Sequence, residues 1–240
     1  MTELRKLSAQ PQTAFVLHTY PYRETSLIVE LLSRESGRLA VVARGAKRPR
    51  SILRGMLLPF QPLALSWFGK SELRTLKSAE WQGGQPLLSG AALICGFYLN
   101  ELLLRLTARD DPHVALFDRY SQSLQALATT ADYAPVLRRF EKGLLEALGY
   151  ALPLSRDINT GDVIQTNKQY YYIVERGPTF AAGRNTIAVT GKTLLDLAAD
   201  CYDDPTSLRE SKLLLRTVIN HYLGDAPIYT RQILRDLHQL

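Results

Sequence analysis

The sequence is poor in the residues that build disulfides, metal sites and membrane spans. Its 240 residues include 2 cysteines, Cys95 and Cys201, and 4 histidines, and no Cys-x-x-Cys or His-x-x-x-His spacing occurs. A zinc site therefore has little support. The longest apolar runs are interrupted by charges too soon to cross a bilayer, and residues 1–12 lack the apolar segment of a signal peptide. We expect a soluble cytoplasmic protein with no metal, no cofactor and no membrane association.

The usual signatures of nucleotide-dependent or hydrolytic enzymes are also missing. Gly69-Lys70-Ser71 and Gly191-Lys192-Thr193 resemble the end of a phosphate-binding loop. The second glycine that such a loop needs is replaced by Ala64 in one case and Thr186 in the other. Gly-x-Ser-x-Gly and clustered carboxylates for two-metal chemistry do not occur either. We therefore predict that the protein binds no nucleotide and is not an enzyme. The missing carboxylate cluster disfavours a nuclease in particular.

Acidic residues are absent between Glu35 and Glu72. The first 80 residues hold 13 Lys or Arg against 6 Asp or Glu, a balance of +7, whereas residues 81–240 hold 16 against 17, a balance of −1. The whole net charge of +6 thus belongs to the first third of the chain. Such a density of like charge favours a polyanionic partner, and a solvated basic loop is the alternative. Seven cations lie in the acid-free stretch: Arg38, Arg44, Lys47, Arg48, Arg50, Arg54 and Lys70.

The apolar pattern changes its period near residue 84. Before it, five short alternating runs at 13–20, 25–32, 38–44, 57–68 and 72–81 predict strands of a small antiparallel barrel of the OB-fold type. After it, helical periodicity dominates, except for a loop-rich stretch with a β-hairpin at about 151–192. We predict an α+β protein with an OB-fold domain at 1–83 and a mainly helical domain at 84–240.

Several short stretches, in order along nearly the whole chain, resemble the bacterial recombination mediators of the RecO family. Each stretch is weakly specific by itself, but their ordered combination is specific. They are Ala14–His18, Tyr22–Leu27, Glu35–Arg38, Ala43–Lys47, Leu57–Pro62, Tyr98–Leu102, Leu137–Glu141, Leu148–Tyr150 and His221–Gly224.

The resemblance implies a function as well as a fold. Members of this family bind single- and double-stranded DNA, anneal complementary strands and, with RecR, help RecA replace the single-strand-binding protein SSB. Their helical domain carries a zinc-finger-like insertion, and many members hold four cysteines there. This chain has no cysteine between Cys95 and Cys201, so we expect the insertion to keep its shape without metal. The resemblance also implies a cytoplasmic, nucleoid-associated protein. The alternative is a protein-interaction adaptor with weak, non-specific DNA affinity.

Two sets of site residues follow from the charge pattern and the resemblance. The seven cations of the acid-free stretch are expected to contact DNA phosphates, and Tyr20, Tyr22, Trp67 and Phe68 are aromatic residues that either stack on bases or pack in the core. In this family the helical domain captures the acidic, apolar tail of SSB. We expect Arg138 to meet the tail's terminal carboxylate, with Tyr98 and Leu102 among the residues of the apolar pocket. Alternatively, Arg138 is an exposed helix arginine that pairs with Glu141 or with the neighbours of Lys142.

Overall fold

The structure, a computed structural model, describes residues 10–69, 71–224 and 227–237. The chain forms two compact units, Met1–Thr130 together with Ile228–Leu240, and Ala131–Pro227. The predicted domains, 1–83 and 84–240, divide the chain by secondary structure rather than by compactness and stay a prediction. None of the helices in the described ranges has the length and hydropathy needed to cross a membrane.

The first unit is built on a closed five-stranded barrel. Its strands are β1 (Gln12–Tyr22), β2 (Ser26–Ser33), β3 (Gly37–Ala43), β4 (Pro62–Phe68) and β5 (Leu73–Trp81), in the order β1-β2-β3-β5-β4, with β4 returning to β1. The pairing is antiparallel except between β3 and β5. Alternate side chains such as Val29 and Leu31 of β2, both fully buried, fill the interior. The predicted OB-fold barrel and α+β class are confirmed.

One predicted strand begins later than expected. Residues 57–68 were predicted to be extended, but β4 starts at Pro62 and a short helix, α1 (Leu53–Met56), precedes it. Phe60 has a φ of 69°, which breaks the extended conformation. Leu57 is buried in the barrel core, so the apolar run that indicates a strand serves instead to anchor a turn.

The remaining helices and strands follow in chain order. They are α2 (Gly90–Leu106), α3 (Val114–Thr129), α4 (Tyr133–Ala147), β6 (Gln169–Ile173), β7 (Gly177–Thr179), β8 (Thr186–Thr190), α5 (Gly191–Ala198), α6 (Pro205–Leu223) and α7 (Tyr229–Leu237).

Helices α2, α3 and α7 belong to the same unit as the barrel. Phe15, on the outer face of β1, is 1% exposed because its ring packs 5.4 Å from that of Phe117 and 5.2 Å from that of Tyr120. The carboxylate of Glu101 on α2 accepts hydrogen bonds from the backbone N–H groups of Tyr229 and Thr230, at 2.8 and 2.9 Å, which are the first two N–H groups of α7. Helix α7 thus returns to the first unit.

The second unit combines α4, α5 and α6 with a small sheet in the order β7-β6-β8. The sequence pattern indicates the β6–β7 hairpin but not β8, which pairs with β6 from Gln169↔Thr190 to Ile173↔Thr186. Within the described residues, no group of three or more His, Cys, Asp or Glu side chains is placed to hold a metal ion.

A buried carboxylate organises the loop that precedes this sheet. Asp157 is 2% exposed and accepts hydrogen bonds from the backbone N–H groups of Asn159, Thr160 and Phe180, at 2.8, 3.0 and 3.0 Å. Burial raises the pKa of Asp157, but these hydrogen bonds outweigh burial and leave the pKa below its usual range. The side chain therefore joins the loop to the end of β7 at neutral pH.

Candidate nucleic-acid interface

Residues 44–54, named here the cationic loop, follow β3 and include the first two residues of α1. Its first half is fixed by the backbone N–H of Lys47, which donates to the carbonyl of Thr25 at 2.9 Å, and by Ala46, which is fully buried in the barrel core. Its second half is fixed by Leu53, which packs against the same core. Ala46 and Leu53 thus face inward, and the long cationic side chains are left outside.

All five cations of the cationic loop are solvent-exposed. In the part of the chain that the structure describes, none of them forms an ion pair. The absence of acids between Glu35 and Glu72 is the local reason. These five residues are Arg44, Lys47, Arg48, Arg50 and Arg54. Lys70, the last of the seven predicted DNA contacts, lies outside the described residues.

Other arginines of the same unit are neutralised by acids. Arg34 binds Asp118 through two hydrogen bonds of 3.0 Å, which lower the pKa of that carboxyl group, and Arg74 contacts Asp110 at 2.7 Å. The acids come from residues 110–118, far from either arginine in sequence. Because these pairs cancel locally, the uncompensated positive charge of the barrel concentrates in the cationic loop. Such a surface attracts phosphates.

Arg38 is surrounded differently from the other predicted DNA contacts. Its side chain is 14% exposed, and Nη1 lies 3.2 Å from the buried carboxylate of Glu30. Its Nε and Nη2 donate to the carbonyl of Thr107 at 3.1 and 2.9 Å. The second carboxylate oxygen of Glu30 pairs with Arg109. These contacts favour a structural role, in which Arg38 links β3 to the segment after α2, and phosphate binding by Arg38 stays a prediction.

The four aromatic residues near the barrel surface divide into two groups. Trp67 is 6% exposed and belongs to the barrel core. Tyr20 and Phe68 are 44% and 48% exposed, and Tyr22 is half-buried with the guanidinium of Arg23 over its ring, 5.2 Å from the centroid. Core packing thus accounts for Trp67, and the other three keep exposed surface on which a base can stack.

Two residues near the cationic loop are not among the predicted contacts. Arg23 lies in the β1–β2 turn, which the Lys47–Thr25 hydrogen bond places beside the loop, although Glu24 follows it directly. Ile52 lies inside the loop and is 79% exposed. The sequence does not show that Arg23 lies near the loop, because 20 residues separate it from Arg44 in the chain. Only the pairing of the folded barrel brings the two together. The sequence signal for Ile52 is an apolar residue between Arg50 and Arg54 in a segment without acids.

The residues predicted to bind the SSB tail are all buried. In the first unit, Leu102 of α2 is fully buried, and the Tyr98 hydroxyl accepts a hydrogen bond from Arg231 at 2.8 Å. In the second unit, Arg138 of α4 is 5% exposed and its Nη2 donates to Glu141 at 2.7 Å, as the alternative interpretation expects, but in a buried setting. The Nε atom of Arg138 has no hydrogen-bond partner among the described residues. Binding of the tail by these residues stays a prediction.

Comparison with known proteins covers both units. The family described as "Recombination protein O N terminal" matches residues 9–84, and "Recombination protein O C terminal" matches residues 87–232. The chain is 54% identical over 238 residues to "DNA repair protein RecO" of Nitrosospira multiformis, with 98% of each chain aligned. It is 50% identical over 242 residues to the protein of the same name from Aromatoleum aromaticum, with both chains fully aligned.

Proposed function

Because the chain belongs to the RecO family of DNA repair proteins, we propose that it is a non-enzymatic recombination mediator. In this proposal it binds single- and double-stranded DNA, anneals complementary strands and, with RecR, helps RecA to load on SSB-coated DNA. The observation that carries the proposal is the set of five exposed cations from Arg44 to Arg54, none of which forms an ion pair with a residue that the structure describes. Since DNA is the partner, we place this action in the bacterial cytoplasm, at the nucleoid.

The proposed mechanism requires no bond to be made or broken. Two complementary strands repel each other through their phosphates, and bound cations reduce that repulsion while releasing the counterions that the strands had condensed. Contacts to phosphate carry no sequence information, so the strands remain able to slide until their bases pair. A cationic loop anchored to a closed barrel supplies such contacts without enclosing the bases.

The salt dependence of DNA binding tests the mediator against the adaptor. If all five loop cations contact phosphates, the logarithm of the binding constant for single-stranded DNA should fall with the logarithm of salt with a slope of about −3.5, which is roughly 100-fold between 50 and 200 mM. Fluorescence anisotropy with a labelled oligonucleotide measures this slope. A slope close to zero supports the adaptor and contradicts the mediator.

Annealing of SSB-coated complementary strands tests the mediator activity directly. The wild-type protein should accelerate annealing above the protein-free rate in the presence of SSB, and addition of RecR should support loading of RecA on the same substrate. Gel analysis of end-labelled DNA with magnesium should show intact strands. Cleavage products would indicate a nuclease instead.

We also propose that Arg138 receives the terminal carboxylate of the SSB tail. The support is its buried guanidinium, which pairs with Glu141 and whose Nε has no hydrogen-bond partner among the residues that the structure describes. Charge reversal at Arg138 is a poor test, because two buried carboxylates side by side would destabilise the unit by about 3–5 kcal/mol. The combined change Arg138→Gln and Glu141→Gln removes both charges and keeps the volume.

This double variant should bind a peptide with the SSB tail sequence at least about tenfold more weakly than wild type, since it lacks the charge-assisted hydrogen bond. Isothermal titration calorimetry measures the affinity, and DNA binding should be unchanged. Arg139→Gln is the matched control, because Arg139 is exposed and points about 100° away on the same helix. Equal peptide affinity of the double variant and wild type would reject the role of Arg138.

A further inference from the structure

We propose that Ile52 is an apolar wedge, which inserts between neighbouring bases of DNA while the cations around it hold the backbone. The inference deepens the function proposed above and rests on it. Its starting point is an unusual juxtaposition in the cationic loop. Ile52, an aliphatic residue between Arg50 and Arg54, is 79% exposed.

The backbone around Ile52 is held in a defined conformation. Ile52 has helical dihedral angles, with φ −59° and ψ −34°, and is the residue directly before α1. Its carbonyl accepts a hydrogen bond from the N–H of Gly55 at 3.3 Å, and the N–H of Arg54 donates to the carbonyl of Ser51 at 3.2 Å. The side chain is therefore presented by an ordered turn, and little conformational entropy is lost when it inserts.

The packing of α1 explains why Ile52 faces solvent. Leu53, Met56 and Leu57, spaced as i, i+3 and i+4, share one side of the turn and pack against the barrel core. Ile52 lies outside that set. Gly55, three residues after it, has no side chain, and a Cβ placed there would meet no heavy atom within 4 Å. The surface next to Ile52 is thus open to a flat group such as a base.

Charge identifies DNA as the partner of this apolar residue. Single exposed apolar side chains are common on protein surfaces and need no explanation by themselves. Leu87 is 80% exposed in the same unit, yet residues 82–92 around it carry no charge. Ile52 differs because Arg50 and Arg54 flank it, and both are exposed and form no ion pair within residues 10–69, 71–224 and 227–237. Apolar residues set among phosphate-binding cations are the arrangement by which proteins unstack base steps.

Insertion of Ile52 should loosen stacking wherever the loop contacts DNA. In a single strand that folds on itself, the effect is to open hairpins that block pairing with the complementary strand. The cationic loop then has two roles: it neutralises phosphates, and through Ile52 it removes secondary structure from single strands.

Fluorescence of 2-aminopurine tests the wedge, because the base brightens when its stacking is lost. Full-length wild-type protein should increase the fluorescence of a duplex with 2-aminopurine at its centre, and Ile52→Ser should reduce that increase by about threefold or more. The affinity of Ile52→Ser for the same DNA should remain within about threefold of wild type, since phosphate contacts dominate it. Leu87→Ser is the control of equal exposure and should behave as wild type.

The possible failures are distinguishable. If wild type does not bind DNA, the proposed function itself is wrong. If wild type binds and Ile52→Ser brightens the probe as strongly as wild type, the wedge is rejected while the mediator stands. Vesicles containing phosphatidylserine provide a third arm, because a basic loop with an apolar tip also suits an anionic membrane. Binding to these vesicles that is lost in Ile52→Ser, without any brightening of the duplex by wild type, would likewise overturn the wedge.

Discussion

Replacement of Lys47, Arg48 and Arg50 together by alanine is expected to weaken DNA binding about 100-fold, since three phosphate contacts of about 1 kcal/mol each are lost. All three side chains are exposed and without ion pairs in the described chain, so their removal leaves no buried charge unpaired. The fold should be unaffected, because the loop is anchored by Ala46 and Leu53 rather than by these side chains. Annealing of SSB-coated strands should slow in proportion to the lost affinity.

The salt dependence separates a loss of phosphate contacts from a general disturbance. For single-stranded DNA, the slope of the logarithm of the binding constant against the logarithm of salt should become shallower by about 2, because each of the three lost contacts contributes roughly 0.7. Arg209, Lys212 and Arg216 offer a matched control, since they are three exposed cations on α6 and their replacement by alanine removes the same charge. The proposal predicts near-normal affinity for the control variant. An equal loss in both variants would show that net charge, and not the cationic loop, governs binding.

Gly37→Ala is expected to lower the free energy of unfolding by about 3 kcal/mol or more. Gly37 begins β3 with a φ of +68°, which disfavours any side chain. A Cβ at this position would overlap the carbonyl of Asp111 and lie 2.9 Å from the nitrogen of Pro112. The neighbouring backbone is held there, because the N–H of Asp110 donates to the carbonyl of Arg38 at 2.8 Å. The melting temperature should fall by about 10 °C.

Gly45→Ala is the control that isolates the steric contact. Gly45 has nearly the same φ, +69°, but a Cβ there would meet only the Arg48 side chain, at 3.5 Å, which is ordinary contact. The variant should therefore lose only the conformational component, about 1–2 kcal/mol. Thermal unfolding followed by circular dichroism compares the two. Equal destabilisation would contradict the close packing of the β2–β3 turn against the connection between α2 and α3.

The secondary structure was predictable where local patterns decide it. Alternating apolar residues and turn signals identify the five barrel strands, and 3.6-residue periodicity identifies α2 to α4. The patterns were misleading at residues 57–61, where apolar side chains anchor a turn, and they missed β8, a short strand whose pairing with β6 is non-local. In both places the conformation depends on contacts with residues distant in the chain.

The chain by itself determined that residues 44–54 hold five cations with no acid close to them in sequence. No acid lies near Arg44–Arg54 in sequence, so ion pairs between close neighbours are impossible there. Only the tertiary structure decided which other arginines are neutralised, because their partners are distant. Arg34 meets Asp118, and Arg38 is shared by Glu30 and the carbonyl of Thr107. A charge pattern is a local property of the chain, whereas burial and pairing are properties of the folded molecule.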